Sequence, residues 1–238
     1  MVANRVGVAR SYIAAIERGR ANPSLDVIVR LARAVGLELD LSLSAPVIVG
    51  DRRQRDAVHA RCSGYVDRRL RGAGWATARE VPIVDGRWRG WIDLLAFDPR
   101  TGTLLVIEVK TVIDDLGALE RQVGWYERAA RRVALERGWR PRRIVTWVLV
   151  LATKQNELAM TQNRDVFDRA FGVDVASMEA LLDDPGSNWP RGRALALIDP
   201  RGRRRTWLIR PRIRGGRSVS PYRGYREAAA SLAVTNPR

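Results

Sequence analysis

The sequence predicts an α/β protein with a small all-α module in front of it. Three patterns carry that prediction. Short helical patterns fill the first 43 residues. Two apolar runs, WIDLLAF and TLLVIEV, flank the turn Asp98-Pro99-Arg100-Thr101-Gly102. Around that hairpin, periodicity gives the order helix, three strands, helix, strand.

The chain of 238 residues has room for one domain of ordinary size and a small one, and its hydrophobic fraction of 46% is that of a globular protein. No apolar run approaches the roughly 20 residues needed to cross a bilayer, and the N-terminus lacks a secretory pattern. The single cysteine, Cys62, excludes an internal disulfide and a Cys-rich zinc site. A cytoplasmic location follows as the expectation. Forty-two Lys and Arg against 26 Asp and Glu leave +16. Such a balance, carried almost wholly by arginine, predicts a nucleic-acid partner.

In the first module, Val2 to Val6 reads as a helix that Gly7 ends, because glycine enters a left-handed turn at little cost. Ala9 precedes a second helix whose Ile13 and Ile16, with Val8, face inward, and Gly19 stops it. Ser24 is the predicted N-cap of LDVIVRLARAVG, in which Leu25, Ile28, Leu31, Ala32 and Val35 form one apolar face.

The string VGVARSYIAAIERGRANPSLDVIVRLARAVGLEL resembles the Xre/Cro-type helix-turn-helix family, over about forty residues. The resemblance implies that Arg10 to Ile16 lies in the major groove, with Arg10 and Ser11 nearest the base edges and Arg18 and Arg20 on phosphates. It also implies a homodimer on paired half-sites. Two departures stand out. The family has a further helix ahead of the one starting at Val2, so the module is expected to be truncated and to leave apolar surface uncovered. Ala9 stands where Ser or Thr is usual, at a cost of about 1 kcal/mol.

Domain limits are expected at 1–43 for this module, 44–51 for a linker, 52–165 for the α/β core and 166–238 for a basic C-terminal extension packed on that core. Residues 39–49 read as a strand or an extended linker. Gln54 to Leu70 is the first helix of the core, Thr77 to Val84 its first strand, Leu119 to Arg137 the helix after the hairpin, and IVTWVLVLAT a buried strand.

Asp93 interrupts the first hairpin strand, while Glu108 and Lys110 interrupt the second, two apart and hence on one sheet face. Burying an unpaired charge costs several kcal/mol, roughly, so these residues need partners. A divalent cation satisfies two carboxylates at once. A salt bridge between Glu108 and Lys110, with Asp93 capping a turn, satisfies them as well.

An acid, about a dozen residues, then Glu-x-Lys ending an apolar strand resembles the PD-(D/E)xK nuclease superfamily, with its restriction-endonuclease-like fold and mixed central sheet. The resemblance implies Mg²⁺ or Mn²⁺ on Asp93, Glu108 and the Val109 carbonyl, with Lys110 orienting water or steadying charge on the phosphate. Gln122 and Tyr126, one helical turn apart, resemble the Gln-x-x-x-Tyr of the RecB-type branch, where the pair supports the site. That branch places a histidine on the preceding helix, where it joins the metal site, and His59 matches it. Asp56 and Glu80 are lesser candidates. No small-molecule cofactor is implied.

Beyond Thr153, short helices are expected at Asn163 to Phe171 and Ser177 to Leu182, then a second hairpin from RALALIDP and RRTWLIR. Arg191 to Arg226 carries twelve arginines against one acid, Asp199, with Trp207, Tyr222 and Tyr225 interspersed. That composition suits a phosphate backbone. The expectation is a DNA-binding protein of bacterial type with a Mg²⁺-dependent endonuclease or exonuclease domain. Its rival is an Xre-family transcriptional regulator, or an antitoxin-like protein, whose nuclease-like domain is inactive.

Overall fold

In a computed structural model the chain forms two compact units, Met1–Val47 and Ile48–Arg238. The structure describes residues 2–37, 39, 49–85, 88–213 and 217–233. Most of the stretch expected as a strand or linker over 39–49, the Asp56 side chain and Arg214 lie outside the described residues.

The first unit holds α1 (Val2–Val6), α2 (Arg10–Glu17) and α3 (Leu25–Ala34). Gly7, at φ +70°, makes the turn between α1 and α2. Ser24 caps α3, accepting from the Val27 amide at 3.4 Å, whereas Ala9 gives α2 no side-chain cap. Ala3, Val6 and Val27 form the small buried centre. Arg30, held by Asp26 at 2.8 Å, donates to the Val6 carbonyl at 2.9 Å. The apolar face of α3 is largely uncovered, in line with the uncovered apolar surface expected of this module. Leu25, Ile28 and Val35 are exposed, by 55%, 37% and 55%, and Leu31 and Ala32 only half-buried. A five-residue α1 is too short to cover the stripe of a ten-residue helix. Val8, Ile13 and Ile16 are likewise half-buried.

The second unit opens with α4 (Val49–Gly72) and runs β1 (Ala76–Asp85), β2 (Trp88–Asp98), β3 (Thr103–Lys110), α5 (Leu116–Glu136), β4 (Arg143–Leu151), α6 (Lys154–Gln162), α7 (Arg164–Ala170), α8 (Val175–Asp183), β5 (Ala194–Ile198), β6 (Leu208–Ile209) and α9 (Tyr225–Ala233). The strands lie in sequence order in one mixed sheet. β3, β4 and β5 are parallel, and the remaining pairs antiparallel. Buried on both faces, β3 and β4 read as continuous apolar runs, as parallel strands do. One face packs against α4, α8 and α9; the other packs against α5, α6 and α7.

The hairpin turn forms as the sequence predicts. Asp98 accepts from the Thr101 amide at 3.0 Å and hydroxyl at 2.8 Å. Burial pushes its carboxyl up, but these bonds outweigh it and hold the group below its ordinary value. Gly102 sits at φ +72°, where a Cβ would also lie 2.8 Å from Arg142 Cγ. The second hairpin is shorter than expected, since only Leu208 and Ile209 of RRTWLIR pair with β5. Helices α6 and α9 were not expected at all.

Candidate functional site

The site forms where the β2–β3 ladder stops. Pairing runs from Asp98↔Thr103 to Leu94↔Ile107 and goes no further, so β3 continues past its antiparallel neighbour to Lys110. Asp93 fills the gap, its Oδ2 accepting the Val109 amide at 2.8 Å. The carboxylate thus replaces a strand partner.

A break in the pleat puts Asp93 there. Residues two apart on a strand share a face, yet Ile92 packs with the α5 side of the sheet and Leu94 with the α4 side. Across the ladder, Arg79 pairs with Leu94 and Val81 with Ile92, and Glu80 between them has φ +49°. Both strands change phase at the same level. A non-glycine residue in the left-handed region costs about 1–3 kcal/mol and persists only where its surroundings impose it.

Glu108 and Lys110 lie on the α5 face, as their spacing predicts. Glu108 is 3% exposed. Its Oε1 meets Lys110 Nζ at 2.7 Å, while Oε2, also buried, has no hydrogen-bond partner. Burial, then the negative charge of Asp93, pushes the Glu108 carboxyl up to about 8 against the pull of Lys110. From Lys110 a polar chain continues onto α5. Nζ donates to Gln122 Oε1 at 3.1 Å, and Gln122 Nε2 donates to the Tyr126 hydroxyl at 2.6 Å. Tyr126 is buried, and burial raises its phenol above the ordinary value. The pair one turn apart therefore meets Lys110. The Glu108–Lys110 contact expected of a salt bridge is present as well, whereas Asp93 caps no turn and takes the Val109 amide instead.

His59, on α4, approaches from the opposite face. Its Nε2 lies 3.2 Å from Asp93 Oδ2 and 3.1 Å from the Val109 carbonyl oxygen. Both neighbours are acceptors, so this nitrogen carries the hydrogen and donates to them. The Asp93 bond raises the imidazole above its ordinary value, outweighing burial. Glu80 is exposed on β1 and hydrogen-bonds to none of these residues among the described contacts.

The oxygen set of Asp93, Glu108 and the Val109 carbonyl suits a hard cation, and the partnerless Glu108 Oε2 is the atom such a cation would satisfy. Among the described residues no group of three or more His, Cys, Asp or Glu side chains is arranged to hold a metal. Any cation here would rely on two carboxylates, the backbone carbonyl and water.

One positioning residue escaped sequence reasoning. Buried Asn156 of α6 accepts the Ile113 amide at 3.1 Å and donates to the carbonyls of Thr111 at 3.0 Å and Leu151 at 2.9 Å. It fixes the chain as it leaves Lys110. Nothing local announces it, because α6 itself is not evident from the sequence and its three partners lie on other segments.

In the first unit Arg10 and Ser11 are the first residues of α2, and both are exposed, as are Arg18 and Arg20 beyond its end. Residues 1–41 match the helix-turn-helix family HTH_3. The first unit is thus an Xre/Cro-type helix-turn-helix domain, a DNA-binding class, and a mixed six-strand α/β domain follows it. No curated protein matches the chain. No described helix is long and apolar enough to cross a membrane.

Proposed function

We propose that the α/β unit is a PD-(D/E)xK domain, restriction-endonuclease-like and of RecB type. It hydrolyses DNA phosphodiester bonds with Mg²⁺ or Mn²⁺, in a chain whose helix-turn-helix domain contacts DNA. The observation that carries this reading is the buried Glu108, which has one oxygen on Lys110 and the other without a partner. A fold leaves a buried carboxylate oxygen unsatisfied at a cost of about 1–3 kcal/mol or more, and a cation-binding role accounts for it.

In this reading Asp93, Glu108 and the Val109 carbonyl hold the cation, with His59 beside them. A cation held there would supply Lewis-acid chemistry, activating water and offsetting negative charge at the phosphate. Lys110 holds positive charge where the scissile phosphate develops negative charge. Gln122 keeps the Lys110 ammonium aimed, and Tyr126 keeps Gln122 in place. Arg10 and Ser11 read base edges while Arg18 and Arg20 hold phosphates.

The test is cleavage of single-stranded, linear and supercoiled DNA by the full chain with Mg²⁺ or Mn²⁺, beside Lys110→Ala and an EDTA control. Metal-dependent cutting that Lys110→Ala abolishes is the expected result. A second reading is a regulator of the Xre family whose α/β unit does not cut. The helix-turn-helix match favours it, as does the absence of a three-residue metal cluster among the described residues. No cutting of any substrate, with duplex binding intact in both proteins, overturns the nuclease reading in its favour.

A further inference from the structure

Three neighbouring concavities of the second unit lie away from Glu108, and arginines line much of them. One, of about 980 Å³, lies between α4 and the loop from β5 to β6. Its wall holds six guanidinium groups, Arg61, Arg68, Arg69, Arg79, Arg201 and Arg203, and no carboxylate. A neighbouring hollow of about 820 Å³ shares Arg68 and Arg69 with it, and another of about 720 Å³ shares Tyr65, Gly202 and Arg203. The neighbours add acids, Glu179 and Asp183 in the first and Asp199 in the second, so the groove free of carboxylates is the central hollow.

This groove is built, not a loose arginine surface. Tyr65 and Arg69 both donate to the Gly202 carbonyl, at 3.1 and 2.8 Å. The Arg69 guanidinium lies 5.1 Å from the centre of the Tyr65 ring, and Trp207 meets that ring edge-on at 5.8 Å. The floor is therefore fixed. Above it, two further guanidiniums converge on the bare Cα of Gly64. A Cβ there would lie 3.6 Å from Arg68 Nη1 and 3.8 Å from Arg79 Nη1. Neither arginine has an ion-pair partner among the described residues. Two cations brought to one point without an acid call for an anion between them, and a phosphodiester presents two oxygens to such a pair.

The groove also leads to the candidate site. It begins one residue past His59 on α4, and Arg79 adjoins Glu80 and pairs with Leu94, the neighbour of Asp93.

We propose that this groove binds the phosphodiester backbone of a nucleic-acid strand and that Arg68 and Arg79 clamp one phosphate over Gly64. The direction of the strand, toward Glu108, rests on the nuclease reading. The binding itself does not.

The test is the affinity of the full chain for a labelled single-stranded oligonucleotide of about 20 nucleotides, in EDTA and across a salt series. A helix-turn-helix reads duplex, so a single strand isolates the groove. Arg68→Ser with Arg79→Ser should lower the slope of log K against log salt by about 0.7, the value of one lost single-strand phosphate. Affinity near physiological salt should fall about tenfold or more. Gly64→Met keeps every charge and adds no helix-breaking residue, and should weaken binding comparably by filling the meeting point. Arg140→Ser with Arg164→Ser, exposed elsewhere on the unit, should change little.

Competition distinguishes a strand from an isolated phosphate. Inorganic phosphate or a nucleoside monophosphate should displace the oligonucleotide only at far higher concentration. If the groove variants match the Arg140 and Arg164 control, or if phosphate alone competes as well as the oligonucleotide, the proposal is wrong. Lost cleavage with groove binding intact defeats the nuclease reading alone.

Discussion

Glu108→Gln tests the electrostatics of the site without any substrate. In the unfolded chain Glu108 ionises near 4.5, whereas burial and Asp93 let the folded protein hold its proton to about 8. Between those values the folded state binds the extra proton, so unfolding free energy falls as pH rises. The slope has a ceiling of about 1.4 kcal/mol per pH unit, and from pH 5 to 8 the loss amounts to roughly 3–4 kcal/mol at most. His59 adds to it only later. Its folded value lies above 6.5, so its contribution is complete below pH 6.5 and lost as pH rises through the raised value. The window from about pH 5 to 6 therefore belongs to Glu108. Glutamine keeps the shape, leaves an amide oxygen for Lys110 and turns N–H groups toward Asp93. All eight tryptophans follow residue 74, so their fluorescence reports the second unit alone. Urea unfolding in EDTA at pH 5, 6, 7 and 8 should give a declining stability for the natural protein and a shallower line for Glu108→Gln. Their difference should favour the variant by a few kcal/mol at pH 8, on the order set by that slope. Parallel lines would show that Glu108 ionises normally and would remove the electrostatic case for a cation site.

Mg²⁺ should raise the urea midpoint of the natural protein at pH 8 and leave Glu108→Gln unmoved, since a ligand of the folded state stabilises only where it binds. Ala9→Ser should stabilise the first unit by about 0.5–1 kcal/mol, because Ala9 already has the extended backbone of a cap, φ −66° and ψ 145°. Slower hydrogen exchange of the α2 amides would show it, and unchanged exchange would count against the cap. Gly102→Ala should destabilise the second unit by about 1–2 kcal/mol or more, through the left-handed backbone and the Arg142 contact at 2.8 Å. A variant as stable as the natural protein in urea would contradict that turn.

Much of this architecture was legible in the sequence because its signals are local. Gly7, Ser24 and the turn from Asp98 to Gly102 announce their conformations, and the uninterrupted apolar runs of β3 and β4 announce strands buried on both faces. Lys110 carried a further signal: it and Lys154 are the only lysines among 42 basic residues, so arginine's usual place was given to a compact ammonium beside Glu108. Other features depend on partners distant in the chain. On α3, periodicity marks the direction of the apolar face, and how much of it is covered depends on the short α1. The arginine groove joins residues of α4, β1 and the loop after β5, and no window of sequence contains them all.

The phase change at Asp93 explains why the acid in β2 and the Glu-x-Lys in β3 work as one set. With unbroken alternation through β2, Ile92, Leu94 and Ala96 would share one face and Asp93 would join Leu95 on the other, stacked in an intact ladder with β3. Instead Ile92 goes with Leu95 and Phe97 to the α5 side, and Leu94 and Ala96 go to the α4 side. Asp93 is left at the crossover, where its carboxylate takes the Val109 amide and faces both His59 from one layer and Glu108 from the other. The strained backbone of Glu80 is the matching distortion in β1. Strain at one strand level thus opens the ladder where β3 must present a backbone carbonyl and two side chains, and it sets one carboxylate between His59 of α4 and the end of β3.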